Sequence, residues 1–334
     1  MSQLTPDEAA ATANEIRTEI GRVIVGQREL VHSVLLALLC EGHLLIEGVP
    51  GLGKTQLLKT LADAVDLPWS RIQFTPDLMP ADIVGTEILN QRTDGTRELT
   101  YRPGPIMTNL VLADEVNRAT PKTQSAMLEA MGERSVTVAG QTRHLDRPFL
   151  VMATQNPVES EGTYPLPEAQ LDRFLFKLLV DMPDSDDLFA IIGRTTGVTV
   201  AKANAVCDVE RLHAMIEVTR SLPIPDVAVR HAIELVLAGH PNGPASTDAI
   251  SRYVRFGPSP RGVQALVLAA KANALLDGRP SASSDDVRSV AVDSLRHRLV
   301  VGYEAVADGV STDSLVAGIL DQVAPPSAGI RGAP

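Results

Sequence analysis

Four short apolar runs lie between residues 43 and 180 of the chain, and each ends in polar or turn-forming residues. They cover His43–Ile46, Leu110–Ala113, Phe149–Thr154 and Phe176–Val180. Helical patterns precede and separate them, over residues 7–20, 28–41, 54 to about 65, and 121–131. Because the runs are continuous and not alternating, they are typical of parallel strands buried on both faces. The pattern predicts an α/β fold with a doubly wound parallel sheet flanked by helices.

Two polar segments interrupt this alternation. Residues 89–107 contain Asp94-Gly95 and a proline- and glycine-rich stretch from Arg102 to Pro105. Residues 135–145 alternate between apolar and polar and turn at Ala139-Gly140, which favours a β-hairpin. We interpret both segments as insertions on the sheet layer.

Beyond Pro183 the pattern becomes helical throughout, with short turns. We therefore expect an α/β domain over residues 1–183 and a smaller helical domain over residues 184–323. The last residues, 324–334, are rich in proline, glycine and alanine, and we expect them to be disordered.

Composition narrows the class of protein. The formal net charge is -11 and the isoelectric point is near 5.1, which disfavours nonspecific binding to nucleic acid. Cys40 and Cys207 lie in apolar, helix-like settings and suggest buried thiols in a reducing compartment. The N-terminal residues do not resemble a signal peptide, and the longest apolar run is too short to span a bilayer. We expect a cytoplasmic protein.

The sequence GVPGLGKT, residues 48–55, fits the pattern G-x-x-x-x-G-K-[ST] directly after an apolar strand and before a helix. Glycines let several backbone N–H groups point at one phosphate chain, and the helix N-terminus favours negative charge. Lys54 is expected to reach the β- and γ-phosphates and Thr55 to bind Mg²⁺. The expected contacts to the ATP or ADP nucleotide are Gly48, Pro50, Gly51, Leu52, Gly53, Lys54, Thr55 and Gln56.

Two acids, Asp114 and Glu115, follow the second apolar run. They could simply begin the next helix, where acids suit the helix dipole. Beside a phosphate-binding loop, a stronger interpretation is that Asp114 holds Mg²⁺ and Glu115 polarises a water molecule for attack on the γ-phosphate.

Three further polar residues are candidates for the same chemistry. Asn156 ends the third run and could orient the attacking water, although asparagine is also common in a turn before proline. Arg173 could pair with Asp172 or Glu168, or it could reach the γ-phosphate of a neighbouring subunit as an arginine finger. Arg118, close to the two acids, is a competing candidate for that role.

Arg261 lies in the sequence GPSPRG, in the first turn of a predicted helix. A cation is unfavourable at a helix N-terminus, which suggests a phosphate partner. The alternative is a solvated arginine on the surface of the helical domain.

The order VIVGQ, GVPGLGKT, LVLADEVNRA, LVMATQNP, LPEAQLDRF and PSPRG resembles the MoxR family of AAA+ ATPases over roughly residues 10–320. The resemblance implies an α/β ATPase domain with a helical lid, assembled as a ring that is often a hexamer. It implies the following roles: Lys54 and Thr55 as Walker A, Asp114 and Glu115 as Walker B, Asn156 as sensor 1, Arg173 as arginine finger and Arg261 as sensor 2. It also places Ile24, Val25 and Gly26 against adenine, the segment 89–107 as a helix-2 insert, and 135–145 as the hairpin before sensor 1.

Members of this family resemble chaperones that mature or remodel protein partners, often proteins with von Willebrand factor A domains. The leading hypothesis is therefore an ATP-driven remodeller of proteins. A motor subunit of a metal-chelatase-like complex, a nucleic-acid-directed motor and a scaffold that binds ATP without turnover are the alternatives. The hairpin has Arg143 and His144 but no dense basic run, which disfavours nucleic acid.

Overall fold

A computed structural model describes residues 4–49, 51–91, 96–156, 162–196 and 201–325. In chain order, strands β1 to β11 are His43–Glu47, Trp69–Gln73, Gly85–Gln91, Arg97–Pro103, Leu110–Asp114, Ser135–Val138, Gln141–His144, Leu150–Gln155, Phe174–Leu179, Val254–Phe256 and Val300–Val301. Helices α1 to α15 are Pro6–Val23, Arg28–Cys40, Lys54–Ala64, Pro80–Val84, Pro121–Glu133, Glu168–Leu171, Ser185–Thr195, Val209–Ser221, Asp226–Ala238, Asp248–Tyr253, Pro260–Leu276, Ser284–Ser289, Ala291–Leu295, Tyr303–Ala307 and Thr312–Gln322. A 3₁₀ turn covers Val116–Arg118.

Five strands of the described chain form one sheet in the order β2-β5-β8-β1-β9. The pairs β2 with β5, β5 with β8 and β8 with β1 are parallel. Ala153 in β8 lies level with Leu45 in β1 and with Ala113 in β5. These three strands are buried along almost their whole length, as their continuous apolar runs predict.

Strand β2 is absent from the sequence-based prediction. In its five residues, WSRIQ, only Ile72 is buried. It is an edge strand that pairs with β5 on one side, so its exposed face can be polar. A strand with one buried residue lacks the apolar run that revealed the central strands, and it brings Arg71 and Gln73 to the sheet edge.

One core lies between the sheet and helix α5. Met127 and Leu128 of α5 pack in the same buried cluster as Val111 and Val151 of the sheet. Phe149, just before β8, is fully buried in it. Burying a side chain of this size contributes about 1.5–3 kcal/mol, so the cluster fixes the strands against α5.

Two antiparallel hairpins extend from this layer. Strand β3 pairs with β4, and β6 pairs with β7 in the segment where the sequence predicts a hairpin. The Arg143 guanidinium lies over the Tyr101 ring, 3.8 Å from its centroid, and so joins β7 to β4. The Tyr101 hydroxyl donates to the Val84 carbonyl at 2.6 Å. The two hairpins therefore share a direct side-chain contact. Residues 92–95 of the first predicted insertion lie outside the described residues.

The described residues fold into two compact units. The sheet unit comprises Glu15–Phe174 and Leu178–His213, and the helical unit comprises Met1–Asn14, Leu175–Lys177 and Ala214–Pro334. The domain boundary between residues 183 and 184 stays a prediction. So does the disordered tail, of which residues 326–334 lie outside the described part.

Helices α9, α11 and α12 provide much of the buried surface of the helical unit. Asp286 in α12 is buried and accepts hydrogen bonds from Asn273 of α11, at 2.8 Å, and from Arg279. A short antiparallel pair, β10 with β11, also belongs to this unit, and its strands are too short for the sequence pattern to show them. None of the described helices has the length and apolar character needed to cross a membrane.

His43, at the start of β1, links three elements of the sheet unit. Its Nδ1 accepts the Val151 N–H at 3.1 Å, so Nε2 carries the proton and donates to the Met131 carbonyl at 3.2 Å. Burial lowers the pKa of His43 from 6.5 to about 4. The neutral imidazole is therefore part of the folded core at neutral pH.

This pKa predicts a specific acid sensitivity. Below pH 6.5 the unfolded chain protonates His43 while the folded chain does not, so folding stability falls between pH 6.5 and 4. The expected loss is on the order of 3 kcal/mol at the acid end. We expect His43→Asn to be less stable at pH 7.5 but to show a flatter pH dependence in urea unfolding.

His144→Gln is the matched control, because His144 is exposed on β7. It should keep the wild-type pH dependence. Equal slopes for the His43 variant and the wild type would contradict the assignment.

Candidate active site

The loop between β1 and α3 has a backbone that only glycine permits at its key positions. A Cβ on Gly48 would lie 2.6 Å from the Val180 carbonyl oxygen, too close for any side chain. Gly51 and Gly53 have φ of +88° and +77°, in the left-handed region. The chain therefore turns sharply and enters helix α3 at Lys54. Pro50 lies outside the described residues.

Lys54 reaches back over this loop. Its Nζ donates to the Gly48 carbonyl at 2.7 Å. Burial lowers the pKa of Lys54, and the nearby carboxylates of Asp114, Glu47 and Glu115 partly offset that effect. A half-buried ammonium group inside a loop of backbone N–H groups is a strong attractor for phosphate.

Asp114 and Glu115 meet Thr154 at the neighbouring ends of β5 and β8. The Thr154 hydroxyl donates to Asp114 Oδ1 at 2.6 Å and accepts the Glu115 N–H at 2.9 Å. Glu115 has φ 56° and ψ 50°, a left-handed conformation that is uncommon for this residue type. One buried hydroxyl therefore fixes both the Asp114 side chain and the turn that directs Glu115.

Strand β2 adds two residues that the sequence analysis missed. Arg71 Nη2 lies 2.6 Å from Asp114 Oδ2, and Gln73 Nε2 donates to Glu115 Oε2 at 2.9 Å. Neither residue belongs to a motif or follows a recognisable strand. The sequence offered one weak signal for this strand, the apolar Ile72 between the polar residues Arg71 and Gln73.

Residues of the glycine loop and of the ends of β5 and β8 line one open cleft of about 450 Å³. The predicted residues that line it are Gly48, Gly51, Leu52, Gly53, Lys54, Thr55, Gln56, Asp114, Glu115 and Asn156. Arg71, Thr154 and Gln155 complete the lining. Backbone donors and Lys54 on one side, with a hydroxyl and carboxylates on the other, match what a nucleoside triphosphate and Mg²⁺ require.

A second cavity of about 270 Å³ shares Gly51, Leu52, Gly53 and Gln56 with the first. Ile24 and Val25 line it, together with Leu188 and Ile191 of α7. Gln27 Nε2 donates to the Leu52 carbonyl at 3.0 Å and so ties this segment to the glycine loop. An apolar cavity beside a phosphate cleft suits a flat base. Gly26 is not among the residues that line it, and the adenine contacts of Ile24, Val25 and Gly26 stay predictions.

The two arginines that are candidates for the arginine finger make different contacts. Arg118 Nη1 lies 3.1 Å from Glu115 Oε2, in the same turn. Arg173 Nη1 donates to the Leu128 carbonyl at 2.6 Å, on the last turns of α5. A side chain on Gly132 would overlap the Arg173 guanidinium there. Neither arginine lines the cleft of its own chain, and their roles stay predictions.

Arg261 belongs to the helical unit. It lies in the first turn of α11, where the Ser259 hydroxyl accepts its backbone N–H at 3.1 Å. Its side chain is exposed. The helix start is therefore where the sequence predicts it, and a phosphate contact of Arg261 stays a prediction.

Comparison with known proteins defines the class. Residues 43–176 match the model of the ATPase family associated with various cellular activities (AAA), and residues 247–319 match the AAA lid domain. The chain is 43% identical over 327 residues to Chaperone MoxR1 of Mycobacterium tuberculosis, covering 96% of this chain and 86% of the relative. It is 31% identical to Protein MoxR of Paracoccus denitrificans, covering 86% and 88% of the two chains.

A crystal structure of a proposed ATPase from Cytophaga hutchinsonii superimposes with a TM-score of 0.88 at 39% identity, covering 95% of both chains. The fold and the cleft thus define a AAA ATPase with a lid domain. Within that class, the chain belongs to the MoxR family, as the sequence resemblance predicted.

Thr154 gives a direct test of how this site is built. Thr154→Val keeps the shape of the side chain but leaves the Asp114 carboxylate and the Glu115 N–H without their buried partner. Each loss of this kind costs about 1–3 kcal/mol, so the free energy of unfolding in urea should fall by at least that amount.

Thr154→Ser keeps the hydroxyl and loses only a methyl group, so it should be the more stable of the two variants. A Val variant as stable as the Ser variant would contradict the role of the hydroxyl.

Proposed function

We propose that this chain hydrolyses ATP, assembles into a hexameric ring, and uses the energy to remodel or mature protein partners. One observation carries the hydrolytic part of the proposal. The phosphate-binding loop, Lys54, Asp114, Glu115 and Asn156 line a single cleft, although they come from the ends of three different strands.

The loop and Lys54 supply the phosphate-binding half of the site. Backbone N–H groups after Gly48 and the Lys54 ammonium would hold the phosphate chain. Thr55 and Asp114 would hold Mg²⁺, which neutralises charge on the β- and γ-phosphates when bound. Thr154 keeps the Asp114 carboxylate in one orientation.

Glu115 would act as the base that polarises the attacking water. Its carboxylate oxygen Oε2 already accepts from Gln73 and pairs with Arg118. Asn156, at the end of β8, would orient the same water as sensor 1. Each of these side chains starts from a rigid strand end, which favours a preorganised site.

A complete site needs a second subunit under this proposal. Neither Arg173 nor Arg118 lines the cleft of its own chain, as expected for a cation that serves a neighbour. Arg261 would act as sensor 2, on its own subunit's nucleotide or a neighbour's.

The kind of partner, a protein client, is inferred from family membership. A relative with 43% identity carries the name chaperone. The β3–β4 hairpin also exposes Leu89 and Leu99, which are cross-strand partners, and Met79 is exposed just before α4. An exposed apolar surface of this kind suits transient contact with protein clients. Proteins with von Willebrand factor A domains are the clients that we propose.

Glu115→Gln separates binding from turnover. Loss of the general base should slow phosphate release by about 10²- to 10⁴-fold, while the phosphate-binding loop remains intact. We expect the variant to retain ATP in a filter-binding or fluorescence assay.

Lys54→Ala is the complementary variant and should lose nucleotide binding itself. Wild-type turnover in the Glu115 variant would show that another residue activates the water.

A mixing experiment tests whether Arg173 acts across subunits. Arg173→Ala should keep ATP binding and lose turnover by about 10³-fold or more. Mixing it with Lys54→Ala subunits should restore part of the activity, since an Arg173 from one subunit can then complete an intact loop in the next.

Arg118→Ala, mixed in the same way, is the comparison. If turnover returns in the mixture of Arg118→Ala with Lys54→Ala but not in the mixture of Arg173→Ala with Lys54→Ala, Arg118 is the arginine finger. Rescue in neither mixture would contradict a shared site.

A further inference from the structure

Arg194, near the end of helix α7, lines the cavity of about 270 Å³ that lies beside the phosphate cleft. The other lining residues are apolar, glycine or glutamine, among them Ile24, Leu188 and Ile191. Within the described part of the chain, Arg194 is therefore the one charged residue of this cavity. It belongs to none of the motifs that the sequence contains.

The end of helix α1 holds Arg194 in place. Its Nη1 donates to the Gly21 carbonyl at 3.0 Å and to the Arg22 carbonyl at 2.9 Å. Carbonyls in the last turn of a helix lack intrahelical partners, and the helix dipole attracts a cation there. Both hydrogen bonds go through one nitrogen, so they fix the position of the guanidinium without using its planar surface.

A second contact holds helix α7 against the segment that follows α1. Gly26 has φ of +63°, and a side chain at this position would overlap the Asp187 carboxylate. Asp187 thus lies against Gly26, while the next residue, Leu188, lines the cavity. Helix α7 is therefore held against residues 21–26 at two points. The part of the lining that Arg194 and Leu188 form is preorganised, which favours ligand binding.

The lining of the cavity matches the face of a nucleotide base. The cavity shares Gly51, Leu52 and Gly53 with the phosphate cleft, so one ligand can occupy both. A guanidinium is planar and weakly hydrated, and it stacks on aromatic rings, most strongly where water is excluded. Arg194 lines the cavity but not the phosphate cleft, which favours contact with the base over contact with the phosphates.

We propose that Arg194 binds the base of the nucleotide by stacking its guanidinium on the ring, and that it thereby favours nucleotides with a purine base. This inference rests on the proposed function, because it takes the adjoining cleft as the phosphate site. A simpler role, in which Arg194 only holds the end of α1, makes a different prediction. Its removal would then weaken every phosphate ligand equally, with or without a base.

The test compares ligands that carry a purine, a pyrimidine or no base. ADP, CDP and inorganic pyrophosphate, each with Mg²⁺, displace a fluorescent ADP that is labelled on its ribose. Arg194→Met should weaken ADP binding about three- to thirtyfold, the range for a cation on an aromatic ring. CDP should lose less, because its smaller ring offers less surface for stacking. Pyrophosphate binding should change by less than about twofold, since salt screens an exposed charge.

Two further variants separate the planar group from the charge. Arg194→Lys keeps the charge and a donor for the α1 carbonyls but lacks the plane, so its ADP affinity should lie between those of the wild type and Arg194→Met. Its unfolding in urea should match the wild type, so the test remains possible if Arg194→Met folds poorly. Arg28→Met is the matched control, because Arg28 is exposed next to Gln27 but does not line the cavity. It should change none of the three affinities.

Equal losses of ADP and pyrophosphate affinity in Arg194→Met would refute the contact with the base and support the role confined to α1. An unchanged ADP affinity, or full wild-type ADP affinity in Arg194→Lys, would also refute stacking. Lys54→Ala distinguishes these outcomes from failure of the proposed function, because it should weaken ADP and pyrophosphate alike. If Lys54→Ala binds both ligands as the wild type does, the phosphate site itself is wrongly placed.

Discussion

The parallel pairing of β1, β5 and β8 is the constraint on which the rest of the site depends. Their carboxyl ends lie at the same edge, so Glu47 lies level with Gln155, and Asp114 ends β5 beside them. Burial on both faces holds this register, because a slip would move apolar side chains away from the core. The glycine loop, the acids and Asn156 are neighbours only because this register is maintained.

Charge balance is the second requirement at that edge. Glu47, Asp114 and Glu115 all lie near Lys54 and raise its pKa against the effect of burial. Two side-chain amides and one hydroxyl donate hydrogen bonds to these acids. Gln155 donates to Glu47 at 2.6 Å, much as Gln73 donates to Glu115. The acids are therefore held by directional contacts and not by charge alone, which keeps them apart in a small space.

The sequence predicted those parts of the site that lie in motifs or follow apolar runs. The loop from Gly48 to Thr55, the acids after β5 and Asn156 after β8 were all found in this way. Thr154 was read only as part of a buried strand, since nothing in its neighbours distinguishes a hydroxyl that bonds across strands. Arg71 and Gln73 were missed because β2 buries a single residue. Such contacts depend on strand order, which local patterns do not encode.

The same limit applies to the backbone at Glu115. No local pattern predicts a left-handed conformation for a glutamate, and the conformation persists here because Thr154 accepts its N–H. The order of the sheet, with β9 beside β1, likewise follows from the packing of the whole unit and not from any one segment.

At Gly132, the position of the Arg173 side chain and the stability of helix α5 place opposite demands on the sequence. An exposed glycine inside α5 costs about 1 kcal/mol relative to alanine, so a surface chosen for helix stability alone would not contain it. The missing side chain leaves room for the Arg173 guanidinium over the Leu128 carbonyl. Engineering this protein for thermal tolerance by filling exposed helical glycines would therefore displace the very arginine that a neighbouring subunit is proposed to need.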